Sequence, residues 1–282
     1  MIKIGKFNSL QIVDEVDFGF FLEAGEEWDQ ILLPFNSAPK DCEVGDILDV
    51  FIYFDSEDRI IATTHKPHAY VDEFAFLRVA AVEKVGAFLD WGLPKELLVP
   101  FSEQKLRLQV GRSYVVWVYL DNTRERIAAS TKLDKFMSKY PGQYEVGEEV
   151  KIMVAQKTEL GFKAIINNRH WGLLYSNEVP RELKVGQRMK AFIQRTREDG
   201  KIDLSLNPVG FESIDGLAGK ILETIKKKGG FVAVTAKTAP REIQELFGVS
   251  KKKFKMALGN LYKRRLVEIS DDGIRVVEGN SS

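Results

Sequence analysis

Val85-Gly86-Ala87-Phe88-Leu89 opens a pattern that continues through Leu98-Val99-Pro100 and Val110-Gly111-Arg112 to Arg126-Ile127-Ala128-Ala129-Ser130. The same pattern precedes it, as Gly19-Phe20-Phe21-Leu22, Leu32-Leu33-Pro34, Val44-Gly45-Asp46 and Arg59-Ile60-Ile61-Ala62-Thr63. It follows again as Gly161-Phe162-Lys163-Ala164, Leu173-Leu174-Tyr175, Val185-Gly186-Gln187 and Lys201-Ile202-Asp203-Leu204-Ser205. Pro34, Pro100 and Tyr175 each stand 11 residues before the second glycine of their copy. From that glycine to Thr63, Ser130 and Ser205 is 18, 19 and 19 residues. Three copies at one spacing mark a repeated domain.

Each copy reads as short strands. Val115, Trp117 and Tyr119 alternate with Val116, Val118 and Leu120, the period of a β-strand. Ile47–Tyr53 and Met189–Ile193 hold the matching places. Turn signals follow at Asp55-Ser56-Glu57-Asp58, Asp121-Asn122-Thr123 and Arg197-Glu198-Asp199-Gly200. About five strands in some 60–65 residues suit a small closed barrel. The first glycine of each copy is expected to permit a sharp bend or bulge in its strand.

The last 70 or so residues change period. Leu217, Ala218, Ile221, Leu222 and Ile225 recur at helical spacing, and Pro240–Gly248 reads as a short helix with Pro near its start and Gly past its end. Ser250 is placed to cap a third helix striped by Phe254, Leu258 and Leu261. Val267–Ile269 and Ile274–Val276 flank Asp271-Asp272-Gly273 as a hairpin. Three helices and a hairpin make a winged helix. The expected organisation is mainly β and multidomain: barrels over 1–68, 69–140 and 141–208, then an α+β winged-helix domain over 209–282.

The chain's 282 residues, 44% hydrophobic and 29% charged, fit a globular protein of several domains. No apolar run reaches the roughly 20 residues of a membrane helix, and Met1-Ile2-Lys3-Ile4-Gly5 lacks the apolar core of a signal peptide. A single cysteine, Cys42, cannot form an internal disulfide, which places the protein in the reducing cytoplasm. The zero net charge hides an asymmetry. Residues 1–73 carry 5 Lys/Arg against 16 Asp/Glu, whereas 74–144, 145–208 and 209–282 carry excesses of +4, +2 and +5. A polyanion is repelled by the first segment and accepted by the rest; an acidic domain that keeps the protein soluble is the plainer account of the same numbers.

The repeats resemble the RNA-binding OB-type repeat of the largest protein of the bacterial small ribosomal subunit, the S-one repeat. The resemblance rests on Val85–Leu89, Leu98-Val99-Pro100, the Val-Gly step and Arg126–Ser130. Three such repeats before a winged helix are similar to the conserved virulence factor B family of bacterial RNA-binding proteins. That family implies post-transcriptional regulation. In the repeat family RNA lies on one barrel face, against an aromatic before the first glycine, the Phe two after it, a His after the third strand, and an Asp and an Arg near the last strand. The first copy offers Phe18, Phe21, Asp55 and Arg59, with Pro34 in place of His. The second offers Phe88, Asp121 and Arg126, with Val85 and Pro100 as departures. The third offers Tyr175, Arg197 and Lys201, with Leu160 and Lys163 where rings are expected.

Rings that stack on bases and cations that neutralise phosphates are what single-stranded RNA requires. The candidates in the barrels are Phe88, Trp91, Arg126, Lys163, Arg169, Trp171, Tyr175, Arg197 and Lys201. Phe18, Phe21 and Arg59 are weaker, because the acidic first segment opposes RNA; Phe18 and Phe21 there can face another domain or a protein partner. The rings can equally be core, and Arg59 and Arg126 can be strand residues beside acidic partners. On the third helix Lys252, Lys255 and Lys263 share the side opposite Phe254, with Lys251 and Lys253 flanking. This is a nucleic-acid face or a solvated one, and duplex groove insertion is the usual role of such a helix. The acidic wing tip, Asp271-Asp272, disfavours phosphate. Of the three histidines, His65, His68 and His170, the first two stand three apart, but Pro67 lies between them and no cysteine or acidic third ligand is close by, so no metal site is expected; no phosphate-binding loop or dinucleotide fingerprint occurs. The expectation is a non-enzymatic RNA-binding protein without cofactor or metal. A winged-helix DNA-binding transcription regulator and a ribosome-associated interaction scaffold are its rivals.

Overall fold

The computed structural model describes residues 2–26, 28–121, 126–176, 179, 182–208, 214–235 and 238–277. The first copy forms β1 (Phe7–Val16), β2 (Gly19–Gly25), β3 (Asp29–Pro34), β4 (Ile47–Phe54) and β5 (Ile60–Thr63). The second forms β6 (Glu73–Glu83), β7 (Gly86–Asp90), β8 (Leu97–Pro100), β9 (Ser113–Asp121) and β10 (Arg126–Ser130). The third forms β11 (Glu149–Lys157), β12 (Gly161–Ile166), β13 (His170–Tyr175), β14 (Arg188–Thr196) and β15 (Ile202–Ser205). All three close as five-stranded barrels in one strand order, 1-2-3-5-4 within each copy. The expected Asn122-Thr123 turn lies outside the described residues.

The conserved spacing has a hydrogen-bond cause. The second glycine of each copy sits at positive φ, 103° at Gly45, 81° at Gly111 and 85° at Gly186. Its N–H donates to the first strand, to Ile12 O (2.8 Å), Val79 O (2.9 Å) and Val154 O (2.8 Å). The N–H of that same strand residue donates back to Asp46 O (2.8 Å), Arg112 O (2.9 Å) and Gln187 O (2.9 Å). The ladder slips just beyond, between Ile12 and Asp14, Val79 and Ala81, and Val154 and Gln156. The bulge that bends the barrel therefore lies in the first strand, not at the Gly-x-Phe glycine as expected. That glycine answers a different need. Gly19 pairs with Pro34 and Gly86 with Pro100, and a Cβ at either position would collide with the carbonyl oxygen of Leu33 or Val99.

By Cα packing the chain divides into two compact units. One holds residues 1–143 with 151–172 and 183–189; the other holds 144–150, 173–182 and 190–282. In the first unit, barrel 1 has its own core of Ile12, Leu22, Ile31, Leu33, Val50, Ile52 and Ala62. Its outward Phe51, Tyr53 and Phe54 join the core of barrel 2, beside Leu89, Trp91, Leu97 and Val118.

The winged helix comprises α1 (Ile214–Lys227), β16 (Phe231–Val232), α2 (Pro240–Phe247), α3 (Lys251–Lys263), β17 (Val267–Ile269) and β18 (Ile274–Val276). Pro240 opens α2 and Gly248 ends it at φ 71°. The Ser250 side chain caps α3 by accepting from the Lys253 N–H. Leu217, Ile221, Ile225, Ile243, Phe254, Leu261 and Ile274 make its core. The hairpin pairs as expected, Ile269 opposite Ile274. Strand β16 adds a third partner through Val232 and Ile274, which two residues of sequence do not announce. No helix among the described residues is long and apolar enough to cross a membrane.

Candidate nucleic-acid interface

Trp91 is not a ligand platform. It is 2% exposed, its ring meets Phe51 edge-on at 5.9 Å and Tyr53 at 6.5 Å, and its Nε1 donates to Lys95 O at 2.6 Å. It serves the joint between barrels 1 and 2, so the expectation that it stacks on RNA is corrected. Lys95 fastens the same joint through its ammonium on Asp58 Oδ1 (2.6 Å) and the Asp55 carbonyl.

Phe88 is half-buried and lines a cavity of about 510 Å3 with Val85, Leu98 and Arg126. Ser56 and Asp58 of barrel 1 and exposed Glu83 and Glu96 line it as well. Arg126 stands 3.7 Å from Asp121. That balances its charge but is too long for a hydrogen bond, and its buried Nε has no acceptor. Lys95 lines the same cavity, so the second barrel offers two cations there, both paired with carboxylates, and Phe88 as its one ring that is not buried. Arg59 is more firmly compensated. It grips Asp55 Oδ2 through Nε and Nη2 (2.9 and 2.8 Å) and reaches Glu57 at 3.1 Å. Burial alone would raise the Asp55 carboxyl, but the hydrogen bonds from Arg59 outweigh it and hold it below the usual carboxylate range. Phe18 is 58% exposed and Phe21 half-buried. Phe35, which the sequence reading passed over, is 43% exposed, and its N–H reaches the Phe18 carbonyl. Asp14, Glu15 and Asp17 stand exposed along the same chain segment, an unfavourable setting for phosphate.

Lys163 and Trp171 come together. The ammonium lies 3.8 Å from the ring centroid and 3.6 Å from Asp134, and the indole Nε1 donates to Asp134 Oδ1 at 2.8 Å. One face of the ring is therefore occupied by a cation that also balances a carboxylate. The pair lines a cleft of about 240 Å3 with Lys105, Tyr114 and Val185. Arg169 is exposed after the tight Asn167-Asn168 turn (φ 47° and 56°).

Tyr175 and Arg197 also meet. The guanidinium donates to the phenol oxygen and to both Asp203 oxygens. Arg195, absent from the sequence-level candidates, shares the same carboxylate (Nη2 to Oδ2, 3.0 Å). Lys201 is exposed and paired with Asp199 at 2.7 Å.

On α3 the lysines divide. Lys251 turns back to the Thr238 carbonyl (2.7 Å). Lys252, Lys255 and Lys263 are exposed and enter no ion pair among the described residues. Successive residues advance 100° around a helix, which sets Met256, Gly259 and Tyr262 on this same face. All three are exposed, Tyr262 by 57%. The ring was findable from that spacing. The wing's Asp271 and Asp272 are exposed.

Among the described residues no group of three or more His, Cys, Asp or Glu is placed to hold a metal. Burial and the carboxylates of Asp46, Glu15 and Asp41 push the Cys42 thiol up, away from the thiolate a nucleophile needs.

Tandem closed barrels bearing rings and cations, ended by a winged helix, define a protein built from nucleic-acid-binding domain types. Residues 4–65 match the S1 domain family and 219–276 match the CvfB-like winged helix domain. The chain is similar to YitL of Bacillus subtilis (strain 168), with 29% identity over 266 residues, 92% of this chain and 89% of that protein. It is similar also to Conserved virulence factor B of Staphylococcus epidermidis (strain ATCC 12228 / FDA PCI 1200), 24% identical across 98% of this chain and 95% of the relative. The protein of that name in Staphylococcus aureus (strain N315) is 24% identical across 98% and 94%. Among solved structures, a multidomain protein with nucleic acid binding domains from Streptococcus pneumoniae TIGR4 aligns over 97% of this chain and 98% of its own, with 26% identity and a TM-score of 0.41. The resemblance to the conserved virulence factor B proteins therefore runs from end to end, as the motifs indicate.

Proposed function

We propose that the protein is a cytoplasmic, non-enzymatic RNA-binding protein that holds single-stranded or loosely structured RNA through several weak sites and acts in post-transcriptional regulation. The observation that carries this reading is the outer face of α3, where Lys252, Lys255 and Lys263 stand exposed, without counter-ions among the described residues, beside the Tyr262 ring. Uncompensated cations release counter-ions from phosphates, and an exposed ring stacks on an unpaired base. The barrels add partial sites in Phe88, the Lys163–Trp171 pair and the Tyr175–Arg197 pair. Linked weak sites gain affinity by effective concentration. The acidic first barrel is a spacer, an electrostatic guard or a protein-facing surface.

The acidic wing tip disfavours duplex docking, in which a wing meets phosphate. Titrating the intact chain with single-stranded RNA and with duplex DNA of equal length, at one salt concentration, tests the reading. Tighter RNA binding is expected; a strong duplex preference would transfer the assignment to a DNA-binding regulator. Affinity indifferent to salt would favour the protein scaffold, and cleavage of labelled RNA in divalent metal would make the protein a nuclease.

A further inference from the structure

The three barrels share one turn but fill it differently. In barrel 1 the residue opening the β4–β5 turn is Asp55, bonded N–H to the Arg59 carbonyl (2.9 Å), and in barrel 3 it is Arg197, bonded in the same way to Lys201 (2.8 Å). Barrel 2 has Asp121 and Arg126 at these places. The pair of residues two further into the strands is Tyr53 opposite Ile61 in barrel 1, Tyr119 opposite Ala128 in barrel 2, and Arg195 opposite Asp203 in barrel 3. Barrels 1 and 2 thus place one carboxylate against one guanidinium over an uncharged strand pair. Barrel 3 replaces the turn carboxylate with a second guanidinium and sinks a carboxylate into the slot of Ile61 and Ala128.

The Asp203 side chain is 4% exposed, against 65% for Arg195 and 31% for Arg197. Arg197 engages it with Nε and Nη2 at 2.9–3.1 Å, and Arg195 with Nη2 at 3.0 Å and Nε at 3.3 Å. The Tyr175 hydroxyl stands 3.5 Å from the same carboxylate. Burial alone would raise the Asp203 carboxyl, but the hydrogen bonds from Arg197 and Arg195 prevail and keep it ionised below the usual range. One buried negative charge therefore aligns two guanidinia. Neither Nη1 group donates to the protein among the described residues. Both arginines line an open hollow of about 540 Å3 with Thr196, Glu198 and Asp199; Asp199 is already taken by Lys201.

The geometry points to a preformed phosphate cradle on barrel 3, with the Arg195 and Arg197 Nη1 edges as ligands and Asp203 as the positioning residue. Planar guanidinium forks suit phosphate oxygens. This rests on the RNA-binding reading and deepens it: beside the ring of Tyr175, the two arginines of barrel 3 grip an internal phosphodiester.

The test uses the intact chain and RNA oligonucleotides with and without a 5′-phosphate. Arg195→Gln alters an exposed side chain and should spare the fold. It should weaken both RNAs equally and reduce the slope of log affinity against log salt by about 0.7, one single-strand phosphate. A loss confined to the 5′-phosphorylated RNA would overturn the phosphodiester assignment in favour of a terminal phosphate. Unchanged affinity and slope for both would overturn the cradle itself. Asp203→Asn separates positioning from bulk charge: it removes a negative charge, so simple electrostatics would tighten RNA, whereas loss of alignment weakens it, as expected here. If the wild-type chain fails to bind RNA, the RNA reading falls, and inorganic phosphate then decides the site. It should shift the Nε–H resonances of Arg195 and Arg197; unmoved resonances would overturn the cradle.

Discussion

Replacing Trp91 by alanine separates a structural ring from a nucleic-acid ligand. A tryptophan buries roughly 150–250 Å2, and at about 25 cal/mol per Å2 the transfer contribution is about 4–6 kcal/mol. That is an upper figure, because the unfolded chain already shields some of the ring. The Nε1 bond to Lys95 O is lost as well, adding about 1 kcal/mol. Since Phe51 and Tyr53 come from the neighbouring barrel, collapse around the void is only partial, and the measured range for buried Trp→Ala, about 3–5 kcal/mol, is expected. For a cooperative unit of 150–250 residues this lowers Tm by roughly 6–20 °C. Trp91→Phe, which keeps most of the apolar contact, should retain most of the stability. The assay is thermal unfolding beside RNA titration below the transition. A base-stacking Trp91 would behave oppositely, losing about 1–3 kcal/mol of binding per base with an unchanged melting temperature. That result would refute the assignment of this ring to the joint.

Gly86→Ala drives a methyl into the Val99 carbonyl and against Pro100, and should destabilise the chain by about 1–3 kcal/mol in denaturant titration; Gly219→Ala, in open space on α1, should stabilise it by about 0.5–1 kcal/mol. Replacing Lys252, Lys255 and Lys263 together by Gln should flatten the salt dependence of RNA affinity by about 2 slope units, at about 0.7 per phosphate, with the melting temperature unchanged. Asp55 and Asp203 have folded pKa values below their unfolded ones, so the stability they contribute is complete above the unfolded value near pH 4 and is lost as pH falls through the folded values. Melting temperatures recorded down through that range should drop with acid, and less steeply in Asp203→Asn.

The barrels were legible because their punctuation is obligatory. The Val-Gly glycines need positive φ to exchange hydrogen bonds with the bulge residues Ile12, Val79 and Val154, so the spacing recurs although the side chains between vary. The winged helix announced itself through Pro240, Gly248 and Ser250, residues whose backbone chemistry marks helix ends. Trp91 was misread because its partners, Phe51 and Tyr53, belong to the preceding repeat; a local pattern carries no sign that one barrel's outer strand is another's core. The role of the Gly-x-Phe glycine was misread for a similar reason, since its constraint comes from the neighbouring strand's carbonyl. Arg195 was missed because its significance depends on a cross-strand partner, Asp203, in a slot filled elsewhere by Ile61 and Ala128. Tyr262, by contrast, stood in plain helical register with Lys252, Lys255 and Lys263.

A polyanion should meet the residues beyond the acidic first barrel. Ultraviolet cross-linking of the intact chain to 4-thiouridine-bearing RNA, with the linked residues mapped by mass spectrometry, locates it. Cross-links should concentrate on Tyr175, Trp171 and the Tyr262 face of α3. If they fall chiefly on Phe18, Phe21 and Phe35, the acidic barrel does not repel RNA and the proposed track is wrong.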